Sequence, residues 1–170
     1  MARIAQGDQQ AFRLLSRRHV HAVVMLARRI VGNDAVAEEL VQEAFLRVWV
    51  NAPRWRPQAA FRTWLYRIVI NLCLNEMRRP SALPLHAAGD PPDPAPQADT
   101  ALAARERDRL VAAAVAALPA RQRAAIVLTY QQGLSNTEAA DALDTSVSSL
   151  ETLLVRAKRA LRAALGAHSS

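Results

Sequence analysis

The sequence contains one cysteine, five glycines and no long apolar run. A single cysteine, Cys73, excludes an internal disulfide and a cysteine-rich zinc site, and it fits a reducing, cytosolic setting. The longest apolar stretch, residues 110–118, has about half the length that a membrane-spanning helix needs. The amino terminus carries no hydrophobic signal segment. Scarce glycine and few β-branched runs argue against an all-β or an α/β fold.

Motifs that would indicate catalysis or metal binding are also missing. The four histidines are scattered, and none joins Cys73 or the acidic residues near position 40 at ligand spacing. No glycine-rich phosphate loop, H-E-x-x-H motif or G-x-S-x-G motif occurs. His19 falls on a predicted buried stripe, where a core role is favoured over a ligand role. We therefore predict that the protein is not an enzyme and uses no cofactor, metal ion or small-molecule substrate.

Basic residues outnumber acidic ones, 22 to 15, which gives a net charge of +7. This excess favours a polyanionic partner such as nucleic acid or an anionic membrane, although a solvated basic surface gives the same count. Six of the nine prolines fall between Pro80 and Pro96, and no basic residue occurs over residues 81–104. We predict an all-α protein with two small basic domains, residues 1–80 and 105–170, joined by a flexible, acidic, Pro-rich linker over residues 81–104.

Apolar residues recur at helical spacing in both predicted domains. Gly32 is expected to end the first long helix, and Asn33 or Asp34 to cap the next. In the second domain, Ser135 and Glu138 form a capping-box pattern. The predicted helices cover residues 12–30, about 34–49, 59–79, 105–118, 121–132, 135–143 and 147–161.

The last two predicted helices form a helix-turn-helix pattern: a short capped helix, the turn at residues 144–146, and a long helix rich in arginine. The final helix would enter the DNA major groove, with its early side chains on base edges and its later basic ones on phosphates. An ordinary helical hairpin with a solvated basic face is the alternative. The candidate DNA contacts are Ser148, Ser149, Glu151, Thr152, Val155, Arg156 and Arg159.

The first domain carries two further candidate surfaces. Aromatic and arginine residues interleave over residues 54–79, which suits unstacked bases and a single-strand backbone, although aromatics at helical spacing are more typical of a core. We assign Trp64 to the core for that reason. Asn71 and Asn75 lie one turn apart, and side-chain amides can read base edges. An acidic face over residues 38–43 suits a basic protein partner, although a solvated face would look the same.

Three segments of the chain, in this order, resemble the extracytoplasmic-function (ECF) sigma factors of the bacterial sigma-70 family. They are AEELVQEAFLRVW, FRTWLYRIVINLCLNEMRR and ALPARQRAAIVLTYQQGLSNTEAADALDTSVSSLETLLVRAKRALR. The resemblance covers about residues 5–165 and is carried by all three segments together. It implies sigma region 2 in the first domain, region 4 in the second, and a factor that binds core RNA polymerase and directs promoter-specific initiation. The start, MARIAQGD, resembles the interior of the family's first helix, so we expect the start to be truncated or a few residues short.

The resemblance also implies partners and residue roles. Partners would be the polymerase β′ coiled coil and β flap, promoter DNA and an anti-sigma factor, which in this family often sits at the membrane and would hold a cytoplasmic chain there. The β′ contacts would be Glu39, Gln42, Glu43 and Phe45. In the family, one base of the −10 element is flipped out and held by the protein. The residues that contact this element would be Arg54, Arg56, Phe61, Asn71, Asn75, Arg78 and Arg79. The final helix would read the −35 element.

The chain departs from the family pattern at three positions. Glu151 stands where Lys or Arg is usual, Leu153 where Arg is usual, and Asp144 where Gly is common in the turn. A carboxylate can accept a hydrogen bond from cytosine N4, so Glu151 predicts an unusual −35 preference. Two other functions stay open at this point: a helix-turn-helix regulator that binds duplex DNA without polymerase, and a helical adaptor whose basic faces are only surface.

Overall fold

The described part of the chain is helical throughout, as predicted. The computed structural model describes residues 1–57, 60–79 and 99–166, with the backbone alone for residues 99–104. A 3₁₀ turn, Ala52–Arg54, follows the third helix, and a π-helical turn, Val127–Gln131, follows the sixth. The α-helices are α1 Ala2–Ala5, α2 Gln9–Val31, α3 Asp34–Asn51, α4 Phe61–Arg78, α5 Asp99–Ala116, α6 Ala120–Ile126, α7 Asn136–Ala142 and α8 Val147–Gly166.

Local sequence signals set the ends of α2 and α3. The Asp8 carboxylate accepts a hydrogen bond from the backbone N–H of Ala11 at 2.9 Å and caps α2. Gly32 ends α2 in the left-handed conformation with φ 72°, which a residue without Cβ adopts at little cost. Asn33, one of the two predicted caps, accepts from the backbone N–H of Val36 at 3.0 Å and starts α3.

The predicted helix-turn-helix is present in α7 and α8. Both hydrogen bonds of the Ser135–Glu138 capping box form, so α7 begins where the sequence indicates. Asp144 takes a φ of 52°, and Asp is one of the few side chains that tolerate this region. The Ser146 hydroxyl then accepts from the backbone N–H of Ser149 at 3.1 Å and caps α8.

One predicted boundary is wrong, and one predicted helix changes its hydrogen bonding along its length. The helix expected to begin at residue 105 begins at Asp99, inside the predicted linker, because no proline occurs between Pro96 and Pro119 and the sequence between them is rich in alanine. Residues 81–98 of the predicted linker lie outside the described residues. The helix predicted over residues 121–132 changes its hydrogen bonding at Val127, and the N–H of Gln132 donates to the carbonyl of Val127 at 3.0 Å.

The two helical domains pack against each other around one continuous apolar core. Helices α2, α3 and α4 form the first bundle, and α5 to α8 form the second. Helix α4 packs on α6 and α7, and α2 packs on α6. Residues that are fully buried, such as Leu26, Ile70 and Leu128, belong to the same contact cluster, although they come from both domains. The faces of α3, α4 and α8 that point away from this core are exposed to solvent and available to bind partners.

Polar contacts reinforce the boundary between the domains. The Tyr66 hydroxyl of α4 donates to the Gln132 side chain at 2.9 Å, and burial raises the pKa of this phenol. The buried Arg123 guanidinium of α6 donates through Nη1 to the carbonyl of Ile30 near the end of α2, at 2.5 Å. The two residues of the first contact are 66 positions apart in the sequence, and those of the second are 93 positions apart. The interface between the domains is therefore held by directed hydrogen bonds as well as by apolar packing.

Candidate nucleic-acid and protein interfaces

A cationic cleft opens beside α4 and has a volume of about 690 Å³. We call it the arginine cleft. Its walls combine four guanidinium groups, two indole rings and two side-chain amides, a set that matches phosphates, base faces and base edges respectively. A carboxylate from α7 also reaches it. The lining residues are Arg47, Asn51, Arg54, Trp55, Arg56, Thr63, Trp64, Arg67, Ile68, Asn71 and Asp141.

Three residues predicted to contact the −10 element line this cleft: Arg54, Arg56 and Asn71. Sequence reasoning missed the contribution of α3, which places Arg47 and Asn51 in the same wall. The Asn51 side-chain amide donates to the backbone carbonyl of Arg47 at 2.8 Å, which holds the Asn51 side chain against α3. Their four-residue spacing on an exposed helix face is the signal that could have indicated them.

The floor of the arginine cleft carries an unsatisfied hydroxyl. Thr63 is 3% exposed, and its Oγ1 has no hydrogen-bond partner among the described residues. A buried polar atom left without a partner costs free energy, so Thr63 lowers the stability of this part of α4.

Aromatic rings form one side of the cleft and continue behind it. The rings of Trp55 and Trp64 lie 6.3 Å apart, and Phe61 lies 5.9 Å from Trp64. Phe61 also packs 5.2 Å from His19, whose pKa is lowered by burial and by the nearby charge of Arg18 and Arg62. Phe61 therefore stands behind the cleft lining rather than within it. Trp64 is half-buried against the core and lines the cleft as well, so it serves both roles.

A second cleft, of about 620 Å³, runs between α3 and α4. We call it the acidic groove. Three carboxylates line it, and two of them are held by arginine: Arg47 pairs with Glu43 at 2.8 Å and Arg79 with Glu76 at 3.1 Å. Exposed pairs of this kind are weak and leave the carboxylates available to a partner. The lining residues are Val36, Glu39, Leu40, Gln42, Glu43, Leu46, Arg47, Leu72, Asn75, Glu76 and Arg79.

The structure places some of the predicted site residues in different clefts. Asn71 lines the arginine cleft, whereas Asn75 lines the acidic groove, so the two amides do not share one site. Arg79 joins Asn75 in the groove, and Arg78 is exposed beside it. Phe45 is separated from the other predicted polymerase contacts because its ring is 9% exposed and packs edge-on against Phe12, in the apolar groove between α2 and α3.

The final helix presents the predicted DNA-reading face to solvent. Leu150, Leu154 and Ala157 are buried, and the seven candidate contacts are all exposed. Glu151 lies 3.5 Å from the amide nitrogen of Asn136, which places both side chains at the junction of α7 and α8. The exposed candidates are Ser148, Ser149, Glu151, Thr152, Val155, Arg156 and Arg159.

The described residues hold neither a metal-binding cluster nor an exposed thiol. No group of three His, Cys, Asp or Glu residues there is arranged to hold a metal ion. Cys73 is buried, and burial raises the pKa of its thiol to about 12, which keeps it protonated and unreactive. Among the same residues, every helix is too short or too polar to cross a bilayer.

Comparison with known proteins identifies both domains. The chain matches the family models for sigma-70 region 2 over residues 15–82 and for sigma-70 region 4 over residues 108–161. It is 36% identical to the ECF RNA polymerase sigma factor SigE of Mycolicibacterium smegmatis, over 98% of this chain and 67% of that protein. It is 32% identical to the ECF RNA polymerase sigma-E factor of Escherichia coli K12, over 94% of this chain and 88% of that protein.

Solved structures agree with this assignment. The fold matches CnrH, solved in complex with the cytosolic domain of CnrY, with a TM-score of 0.72, 31% identity and coverage of 98% of this chain and 94% of that one. The fold alone is shared with RpoE of Bartonella quintana, solved with the anti-sigma factor NepR, with a TM-score of 0.73, 20% identity and coverage of 92% and 98%. With both regions matched in order on a two-domain helical fold, the chain belongs to the ECF sigma factors of the sigma-70 family.

Proposed function

We propose that the arginine cleft, the acidic groove and the exposed face of α8 each perform one of the binding functions of an alternative sigma factor. The observation that carries this proposal is the presence of an acid-lined groove and an arginine- and tryptophan-lined cleft side by side on one helical bundle. Residues 1–80 would bind core polymerase and the −10 element. Residues 105–170, together with the start of α5 at Asp99, would bind the −35 element. Polymerase itself would supply the chemistry, so the chain needs no catalytic group.

The arginine cleft suits the −10 element as a single strand. Extruding a base costs a few kcal/mol of unstacking. Stacking on an aromatic ring returns about 1–3 kcal/mol per base, and Trp55 and Trp64 supply such rings here. Arg54 and Arg56 can hold the phosphates, and the Asn71 side-chain amide can bind a base edge. Phe61 would act by supporting Trp64, and Arg78 by binding backbone outside the cleft.

The acidic groove suits a basic protein surface. Glu39 and Gln42 are exposed at its rim and Glu43 is half-exposed, so complementary charge can steer a partner there. We propose the polymerase β′ coiled coil as that partner, and the β flap as the partner of the second domain. Asn75 and Arg79 share the groove and would lie where polymerase and promoter DNA meet. Phe45 would contribute by fixing α3 through its packing on Phe12.

Control by an anti-sigma factor is the further part of this proposal. The similar structures of CnrH and of RpoE were solved with CnrY and with the anti-sigma factor NepR, respectively. We propose that a protein of this kind covers the acidic groove and excludes polymerase. A membrane-bound anti-sigma factor would hold this chain at the cytoplasmic face of the membrane until it is released.

Run-off transcription tests the proposed function. Purified core polymerase would transcribe a fragmented genomic library with and without this protein, and the 5′ ends would be mapped. We expect new start sites that share two sequence elements at a fixed spacing. An absence of new starts, together with no co-elution with core polymerase, would overturn the proposal. Tight sequence-specific binding of duplex DNA by the free protein would then indicate a polymerase-independent regulator.

Glu151→Lys is expected to change the preferred −35 sequence. A carboxylate accepts from cytosine N4, whereas an ammonium group donates to guanine or phosphate, so the favoured base opposite this position should change by about 1–3 kcal/mol in discrimination. The measurement is transcription across a library of −35 variants. Glu106→Lys, which makes the same charge change on exposed α5, is the matched control. An unchanged −35 preference would contradict the role of Glu151.

A further inference from the structure

A polar contact joins the two helices of the helix-turn-helix on their exposed side. The side-chain nitrogen of Asn136, the first residue of α7, donates to Oε1 of Glu151 in α8 at 3.5 Å. Only the nitrogen of the amide can face a carboxylate, because the amide oxygen is itself an acceptor. At this length the bond adds little stability, but it ties the direction of the Glu151 side chain to α7.

The backbone is fixed at both ends of this contact. A complete capping box between Ser135 and Glu138 sets the start of α7, and the Ser146 hydroxyl caps α8. Leu150, next to Glu151, is fully buried, so this turn of α8 cannot rotate without losing core packing. The amide and the carboxylate therefore meet between two helix ends that are themselves held in place.

Neighbouring side chains on the reading face of α8 are less selective than Glu151. The Thr152 hydroxyl donates to the backbone carbonyl of Ser148 at 3.0 Å. The Ser149 hydroxyl accepts from that of Ser146 at 2.8 Å. Serine and threonine hydroxyls bind either donors or acceptors on bases, so they discriminate weakly. A carboxylate only accepts, and Glu151 is the one charged residue in the sequence of residues 147–154.

A carboxylate distinguishes bases by the groups that they present in the major groove. Cytosine presents the N4 donor, adenine presents the N6 donor beside the N7 acceptor, and guanine and thymine present acceptors. The charge of Glu151 therefore disfavours guanine and thymine in any direction of the side chain. The choice of cytosine over adenine depends on direction, because a mobile carboxylate can approach N6 while it avoids N7.

We propose that Asn136 is a positioning residue for the −35 element: its amide holds one oxygen of Glu151, so that the other accepts from cytosine N4 in a fixed direction. The inference rests on the proposed function, in that α8 reads duplex DNA. A glutamate side chain has three rotatable bonds, and restraining them beforehand lowers the entropy lost on contact with the base. Asn136 thus sharpens the choice of cytosine over adenine without touching the base.

The variants separate the direction of the carboxylate from its charge. Asn136→Ala removes the donor and keeps the capping box that starts α7. Asn136→Asp places a second carboxylate beside Glu151 and repels it. Glu151→Ala removes the carboxylate, and the base pair at which it lowers selectivity is the one that residue 151 faces. The matched control is Gln131→Ala, which removes an exposed side-chain amide from the π-helical turn before α7.

Run-off transcription with core polymerase is measured on promoters in which each −35 base pair is varied to all four bases. At the pair that residue 151 faces, we expect Asn136→Ala to lower the preference for cytosine over adenine about threefold to tenfold, and that for cytosine over guanine less than about twofold. Asn136→Asp should lose the first preference at least as far, and Gln131→Ala should keep both. An unchanged cytosine-to-adenine ratio in Asn136→Ala, or an equal fall in every ratio, would overturn the proposal.

A double variant tests whether Asn136 acts through Glu151. We expect Asn136→Ala/Glu151→Ala to show the same −35 selectivity as Glu151→Ala alone, because no carboxylate is left to position. A further loss of selectivity in the double variant would overturn the positioning role, since Asn136 would then read a base by itself.

A selection without polymerase distinguishes failure of this inference from failure of the proposed function. The free chain selects among duplex DNAs that carry a short random segment, at low salt, where weak binding is retained, and the enriched sequences are counted. An absence of start sites in transcription, together with an Asn136-dependent choice of cytosine here, would remove the sigma function and keep the positioning role. New start sites together with an unchanged base preference in Asn136→Ala would do the reverse.

Discussion

Replacing Arg123 with alanine is expected to lower the free energy of unfolding by about 2–4 kcal/mol. Its guanidinium is 9% exposed and donates to the carbonyls of Ile30, Ala116 and Leu118. These carbonyls lie at or near the ends of α2 and α5, where no intrahelical donor is available. Alanine leaves them without a partner in a buried place, and each orphaned group costs about 1–3 kcal/mol before water partly relieves it.

Denaturant unfolding of the whole chain measures this effect. Arg162→Ala, on the exposed side of α8, is the control and is expected to change stability by less than about 0.5 kcal/mol. Arg123→Lys should fall between the two, because one ammonium group cannot reach three carbonyls as a planar fork does. A loss below about 0.5 kcal/mol for Arg123→Ala would show that water replaces the guanidinium without penalty.

Glu39→Lys/Glu43→Lys is expected to reduce run-off transcription at least about tenfold. Both carboxylates line the acidic groove, and like charges placed across an interface cost several kcal/mol. Lysine is a good helix former, and both positions retain solvent access, so α3 should stay folded. The affinity for core polymerase and the transcription yield should fall together, since the defect lies in docking.

The control for this double variant is Glu106→Lys/Asp108→Lys, which makes the same change in net charge on α5. It is expected to retain most of the transcription yield. Equal losses in the two variants would mean that total charge, and not the acidic groove, limits docking. Full activity of Glu39→Lys/Glu43→Lys would remove the groove from the polymerase interface.

The parts of the fold that were predicted correctly are those set by nearby residues. Gly32, the Ser135–Glu138 capping box and the left-handed Asp144 each act within a few residues, so their patterns carry enough information. The start of α5 was placed too late because the proline-rich composition of the preceding segment was extended past its last proline. Periodicity also gave no sign of the π turn at Val127, where hydrogen bonding changes without interrupting the apolar stripe.

The clefts were predicted only in part because they depend on pairs of helices. Asn71 and Asn75 look equivalent on α4, and only the position of α3 assigns them to different clefts. Arg123 gave no signal at all, since an arginine in a basic helix is usually solvated, and its acceptor, the Ile30 carbonyl, lies 93 residues away in sequence. Such long-range contacts follow from packing, which a single sequence does not specify by local pattern.

The apolar core that runs across the domain boundary makes the whole chain the unit of cooperativity. A cavity introduced at Leu128 in the second domain would therefore weaken the first domain as well, because both share one set of contacts. Separation of the domains onto two promoter elements would remove this shared contribution from each. Contacts with polymerase would then have to replace it, so the enzyme serves the open sigma factor as a folding partner as well as a catalyst.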